Sequence, residues 1–156
     1  MTYLSRDDEW MTPMVYWHMI KEYIPTSLTI WEPFLGNGQS TKDLRSLGYT
    51  VVNGGDFFTS APKADIVVTN PPYSIKKKVI ERLEKLKMNY VLLLPAKYMF
   101  TQNWLATTGT SVALVPKRFG FMKGGVVKKN LPFSCAFFCK GIKTPSSYWV
   151  LKEKSQ

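Results

Sequence analysis

The sequence predicts an α/β fold with a mostly parallel sheet and an antiparallel strand near the C-terminus. Three observations predict it. Short runs at 28–32, 64–69, 90–94 and 111–115 are apolar almost throughout, the pattern of strands buried on both faces. Charged segments with helical periodicity separate the earlier runs, as parallel strands require a crossover. The last runs, 132–139 and 147–151, follow one another with no helical segment between them, so at least one pairing there is antiparallel.

Taken in order, a helix is expected within 10–23, with Thr12 as its cap and Pro13 at its first position. Strand 28–32 follows, then a short helix over 40–48 capped by Ser40 and stopped by Gly48. Strands 49–52 and 64–69 come next. Ser74 is placed to cap a helix over 75–87, whose Ile75, Val79, Leu83 and Leu86 make one apolar stripe with a charged back. After strand 90–94, a weaker helix spans 97–107, before strand 111–115.

The chain has 156 residues, 45% hydrophobic and 21% charged, which fits a single domain able to bury a core. Lys and Arg number 21 against 11 Asp and Glu, a net charge of +10. An excess of that size on a small domain points to a polyanionic partner, nucleic acid before an anionic membrane. No apolar run reaches the roughly 18 residues of a membrane span, and residues 1–9 hold no apolar signal core, so a cytoplasmic protein is expected. Cys135 and Cys139 would lie roughly 13 Å apart on one strand face, too far for a disulfide, and read as free core thiols. One histidine and two cysteines make no zinc set, so no metal is expected.

The first strand ends in Glu-Pro-Phe-Leu-Gly-Asn-Gly over 32–38 and opens a helix. Gly36 and Gly38 allow a tight turn and close approach of a ligand, with Pro33 and Phe34 inside the turn. Glu32 disfavours a phosphate and suits a cationic ligand such as the sulfonium S-adenosylmethionine. In doubly wound folds an acid about 20 residues on holds ribose hydroxyls. That slot falls near Asn53, so either its amide bonds the ribose or the ligand is gripped differently. Asp56 can accept from an adenine amino group with Phe57 packing the ring; a plain turn residue after Gly-Gly fits Asp56 as well.

The third strand ends abruptly in Asn-Pro-Pro-Tyr at 70–73. Ligands on such sheets bind beyond the carboxyl ends of the strands, so Glu32, Gly36 and Asn70 should share a cleft. Pro71 and Pro72 fix the backbone and remove two N–H donors, and Tyr73 offers a ring for stacking.

Together with Asp-Glu-Trp-Met-Thr-Pro-Met at 8–14, these motifs resemble the amino methyltransferases, most closely the adenine-N6 DNA methyltransferases, and Asn-Leu-Pro-Phe-Ser-Cys-Ala-Phe-Phe-Cys at 130–139 resembles the late strand of that family's small orphan enzymes of phages and large viruses. The resemblance spans roughly residues 8 to 140 and implies a Rossmann-like methyltransferase fold. It implies S-adenosylmethionine as cofactor, held by the glycine turn and by the N-terminal segment with Trp10, Thr12 and Pro13. It also implies that Asn70, Pro71, Pro72 and Tyr73 hold a target amine, adenine N6 in DNA first. The motif also occurs in enzymes acting on guanine N2 or on a glutamine side chain, and charge and motif permit RNA equally. A non-catalytic nucleic-acid-binding subunit is a reading of another class, kept open by the missing acid near Asn53.

Residues 117–130 mix five basic side chains with two phenylalanines and three glycines. Lys117, Arg118, Phe119, Lys123, Lys128 and Lys129 suit phosphate contact and base stacking on a hairpin; a merely solvated hairpin fits the same pattern. Lys76, Lys77 and Lys78 either touch the nucleic-acid backbone or form an exposed helix face. The 38 positions between Glu32 and Asn70 leave no room for a separate sequence-reading domain, so little sequence specificity is expected unless a second subunit supplies it.

Overall fold

A computed structural model describes residues 11–101, 109–117, 119–123, 126–128 and 133–153. Among them are four α-helices, α1 (Met14–Ile20), α2 (Gln39–Ser46), α3 (Lys76–Lys85) and α4 (Tyr98–Thr101). Nine strands accompany them: β1 (Thr29–Trp31), β2 (Thr50–Val52), β3 (Ile66–Thr69), β4 (Asn89–Pro95), β5 (Ser111–Leu114), β6 (Phe121–Lys123), β7 (Val126–Lys128), β8 (Cys135–Lys140) and β9 (Tyr148–Val150). Seven form one sheet in the order β2-β1-β3-β4-β8-β5-β9, and β6 pairs with β7 in a separate hairpin.

The sheet is parallel except for β8, which runs antiparallel to both β4 and β5. The antiparallel strand expected near the C-terminus is therefore wedged inside the sheet, and the last strand, β9, is parallel to β5. Side chains alternate across the pleat. Ile30, Val68, Val91, Leu93 and Phe137 face a core with Tyr16, Trp17 and Ile20 of α1 and Leu44 of α2. Trp31, Val67, Tyr90, Leu92 and Phe138 face the opposite core with Val79, Ile80 and Leu83 of α3. Burial on both faces is why these strands read as unbroken apolar runs. Cys135 and Cys139 are free and buried on one face. No helix among the described residues is long and apolar enough to cross a membrane.

Three helix starts differ from the sequence reading. Pro13 is extended, with φ −62° and ψ 149°, and precedes α1 instead of opening it; Thr12 does not cap it, because its hydroxyl is engaged elsewhere. The helix after the glycine turn begins at Gln39, one residue before Ser40, and Asn37 Oδ1 accepts its N–H at 3.0 Å. That bond satisfies one of the free amides a helix start leaves. Ser74 lies in a 3₁₀ turn, Tyr73–Ile75, that feeds α3, and no side chain caps that helix. The remainder of the helix expected over 97–107 lies outside the described residues beyond Thr101.

Leu83 is fully buried where α3 meets the sheet. Leu83→Ala is expected to lower the unfolding free energy by about 2–5 kcal/mol in urea titration, through lost apolar transfer plus the cavity left behind. Replacing exposed Glu81 on the same helix should cost less than about 0.5 kcal/mol.

Candidate active site

The chain leaves β1 for β2 on one side and reaches β3 on the other, which makes the gap between β1 and β3 a topological switch point. The crevice beyond the carboxyl ends of such strands is where open α/β sheets bind ligands. Glu32 directly follows β1, and Asn70 directly follows β3.

Glu32 is only 1% exposed. Its Oε1 accepts the Phe34 N–H at 2.9 Å and the Thr69 hydroxyl at 2.5 Å. Burial pushes its carboxyl from 4.5 up to about 8, against the downward pull of those two hydrogen bonds. This side chain therefore pins the glycine turn to the end of β3 instead of presenting an open carboxylate to a ligand. Thr69, which escapes the sequence reading, is the other half of the pin. A buried Thr at the end of an apolar strand carries no local signal.

Past Glu32, Pro33 is buried and Phe34 half-buried, while Leu35, Gly36 and Asn37 are exposed. Gly36 and Gly38 have φ of +51° and +83°, which L side chains rarely adopt. A Cβ at Gly38 would meet nothing within 4 Å, whereas one at Gly36 would lie 2.6 Å from Met11 Cε. The turn is thus open along one stretch and closed by Met11, a residue the motif reading passed over, along another.

Asn53 donates from Nδ2 to the Glu32 carbonyl at 3.1 Å and to Thr41 Oγ1 at 3.0 Å. Its amide hydrogens hold the scaffold and are not presented to a ribose. Asp56 is exposed and accepts the Phe58 N–H at 2.8 Å, the turn role that was its alternative reading. Phe57 is 1% exposed, packed against Trp31 and Phe34 at centroid distances of 5.3 and 5.0 Å. Its ring belongs to the core, and half-buried Phe34 and Phe58 are the aromatic surfaces beside it. Arg82 of α3 holds this loop by donating to the carbonyls of Phe57 and Ser60 at 2.7 and 2.9 Å.

At the end of β3, Asn70 Nδ2 donates to Thr12 Oγ1 at 2.9 Å. Thr12 is 3% exposed and sits just before Pro13 at the head of α1. Asn70 Oδ1 is buried with no hydrogen-bond partner. A buried acceptor of this kind is costly unless a ligand satisfies it. Pro71 and Pro72 are buried, and the Pro72 carbonyl accepts the Ile75 N–H at 3.2 Å. Tyr73 is half-buried, its ring edge-on to Phe133 with centroids 6.0 Å apart.

Within the segment expected to form a hairpin, β6 (Phe121–Lys123) and β7 (Val126–Lys128) pair antiparallel. Its base is tied to α1: Tyr16 stacks on Phe121 at 5.0 Å, meets Phe119 edge-on at 5.8 Å and donates its hydroxyl to the Gly120 carbonyl at 3.2 Å. Lys117 is ion-paired with Glu153 at 2.9 Å and lies over the Phe119 ring, which reduces its claim as a phosphate contact. Lys123 and Lys128 are placed by backbone only, opposite Val126 and Phe121. Trp10, Arg118 and Lys129 lie outside the described residues. A cavity of about 600 Å³ lined by Tyr23, Leu28, Ile142 and Lys143 sits at the amino ends of the parallel strands, away from this crevice. Among the described residues, no three His, Cys, Asp or Glu side chains converge as a metal site would require.

The position of Glu32 has a measurable consequence. The folded protein binds the carboxyl proton more tightly than the unfolded chain does, so stability from this group is fullest below pH 4.5, falls as pH rises towards about 8, and is level above it. Glu32→Gln, neutral throughout, is expected to remove that fall when urea unfolding is compared at about pH 5 and about pH 9. An unaltered pH slope would show that the carboxyl titrates normally. No protein-family model matches the sequence, and no curated protein or solved structure matches it either.

Proposed function

We propose that the protein is an S-adenosylmethionine-dependent methyltransferase of Rossmann-like fold that acts on an exocyclic amine, adenine N6 in DNA. The observation that carries this reading is the buried, unpartnered Asn70 Oδ1 at the switch point of the sheet. It is an acceptor held in place with nothing to accept, followed by two buried prolines that supply no N–H.

The residues fit the cofactor at the glycine turn, where Gly38 leaves open space and Leu35, Gly36 and Asn37 are accessible. When bound, S-adenosylmethionine supplies a methyl group that passes to the attacking nitrogen while sulfur keeps the bonding pair. Asn70 Oδ1 and the Pro71 carbonyl accept the two amine hydrogens. Drawing on both hydrogens favours a tetrahedral nitrogen whose lone pair is free. The two acceptors bind most strongly as positive charge develops on that nitrogen, so they favour the transition state over the ground state. The product ammonium is acidic and loses its proton to water, so no strong base is required of the chain. Tyr73 offers its ring as the stacking surface for a base flipped from a duplex or presented single-stranded. The net charge of +10 supports nucleic acid over a protein glutamine as substrate.

Labelled methyl transfer to duplex DNA, single-stranded DNA, RNA and protein, followed by nucleoside analysis, tests this. The expected result is N6-methyladenine in DNA across many sequence contexts. Asn70→Ala should reduce transfer by about 100-fold or more and leave cofactor affinity in calorimetry unaltered. Absence of measurable S-adenosylmethionine binding by the intact chain, or full activity in Asn70→Ala, would overturn the reading.

A further inference from the structure

The Asn70 side chain can act as a clamp in one orientation only. A primary amide has an acceptor oxygen at one end and a two-hydrogen donor at the other. Half a turn about its last bond exchanges the two with little change of shape. With oxygen inward, the group accepts from an amine. With nitrogen inward, its hydrogens would meet those of the amine, or bind the lone pair that has to attack. The adjoining chain does not choose between them, because Pro71 and Pro72 have no N–H with which to hold the oxygen. The choice falls to another part of the fold.

That part is the residue before Pro13. Asn70 Nδ2 donates to Thr12 Oγ1 at 2.9 Å, which turns the nitrogen towards the head of α1 and leaves Oδ1 as the unpartnered end. Reversal would bury the Nδ2 hydrogens where Oδ1 now lies, and a buried N–H without an acceptor is rarer in proteins than a carbonyl oxygen without a donor. The acceptor is itself hard to move. Thr12 is almost wholly buried, and its branched Cβ restricts its rotamer. Pro13, extended itself, limits the backbone of the residue before it. Behind Pro13, Tyr16 and Trp17 anchor α1 in the core.

We infer that Thr12 is a positioning residue for methyl transfer: by accepting from Asn70 Nδ2, it fixes the amide with Oδ1 towards the target amine. The inference rests on the proposed function for the identity of that amine. It adds to the cofactor contact expected of Thr12 and Pro13 a task at the opposite side of the reaction. In this task Thr12 acts through Asn70. Its contribution is the orientation of a group already present, so it is felt in turnover more than in affinity.

Two measurements on the full chain test it. The first needs no ligand: the side-chain amide signals of Asn70 in nitrogen-15 NMR, identified by their absence from Asn70→Ala. Thr12→Val, of nearly the same shape, should shift them and speed their exchange with water, while Thr12→Ser should keep them near their parent positions. The second is steady-state methyl transfer from S-adenosylmethionine to an adenine-containing single-stranded DNA. Thr12→Val should lower kcat by about 10-fold or more, the cost of a small misplacement at the reacting centre, with KM for the DNA little altered. Thr12→Ser should restore most of the rate, and Thr12→Ala should behave like Thr12→Val. Unaltered Asn70 signals in Thr12→Val overturn the inference. So does a lowered urea midpoint with kcat unaltered, which is what a merely structural residue would give. If Asn70→Ala loses transfer while Thr12→Val and Thr12→Ala keep it, the clamp stands and the role of Thr12 alone falls. If Asn70→Ala keeps full transfer, the clamp reading falls and this role with it.

Discussion

The hydrogen bond from Thr69 to the buried Glu32 carboxyl joins the ends of the two strands between which the crevice opens. A carboxyl so far from water is costly as an anion. The protein meets the cost by keeping the group neutral over much of the accessible pH range and by giving Oε1 two donors. Asn53 adds a second link through its bond to the Glu32 backbone carbonyl. The ends of β2, β1 and β3 are thereby stitched together around one residue. The glycine turn has its shape because the Phe34 N–H is held by the same carboxyl.

Around that pin, the head of α1 works as a strap. Met11 lies against Gly36, Thr12 accepts from Asn70, and Tyr16 stacks on the hairpin base. The glycine turn, Asn70 and the base of the β6–β7 pair thus all touch one short stretch of chain. Its rigidity comes from Tyr16, Trp17, Met19 and Ile20, all buried in the core on that face of the sheet. The side-chain amide of Asn70 is consequently held at one end by an element distant in sequence, while its oxygen is buried without a hydrogen-bond partner.

Positive charge is divided unevenly along the same rim. Lys117 is ion-paired with Glu153, and the ammonium groups of Lys76 and Lys97 both lie near the Tyr98 ring. A count of lysines along the chain favours the hairpin, where five basic residues cluster. Which group each lysine meets depends on what the fold brings alongside it, not on the count along the chain.

Much of the scaffold was legible in the sequence. Apolar runs, helical stripes and glycine turns are local signals, and they correctly placed the strands, α2, α3 and the hairpin to within a few residues. They also placed Glu32 and Asn70 at strand ends of one sheet, while the strand order made those strands neighbours. Helix starts were less legible, because Asn37 performs the task assigned to Ser40, and Thr12 bonds to a residue 58 positions away. Nor could the sequence say that Phe57 fills the core, that Asn53 ties strands together, or that Glu32 is closed to solvent. The sequence by itself determined periodicity and turn chemistry, which depend on neighbours a few residues apart. Only the tertiary structure decided which polar groups serve the scaffold and which remain open, because a buried donor or acceptor is satisfied by whatever the strand order sets beside it.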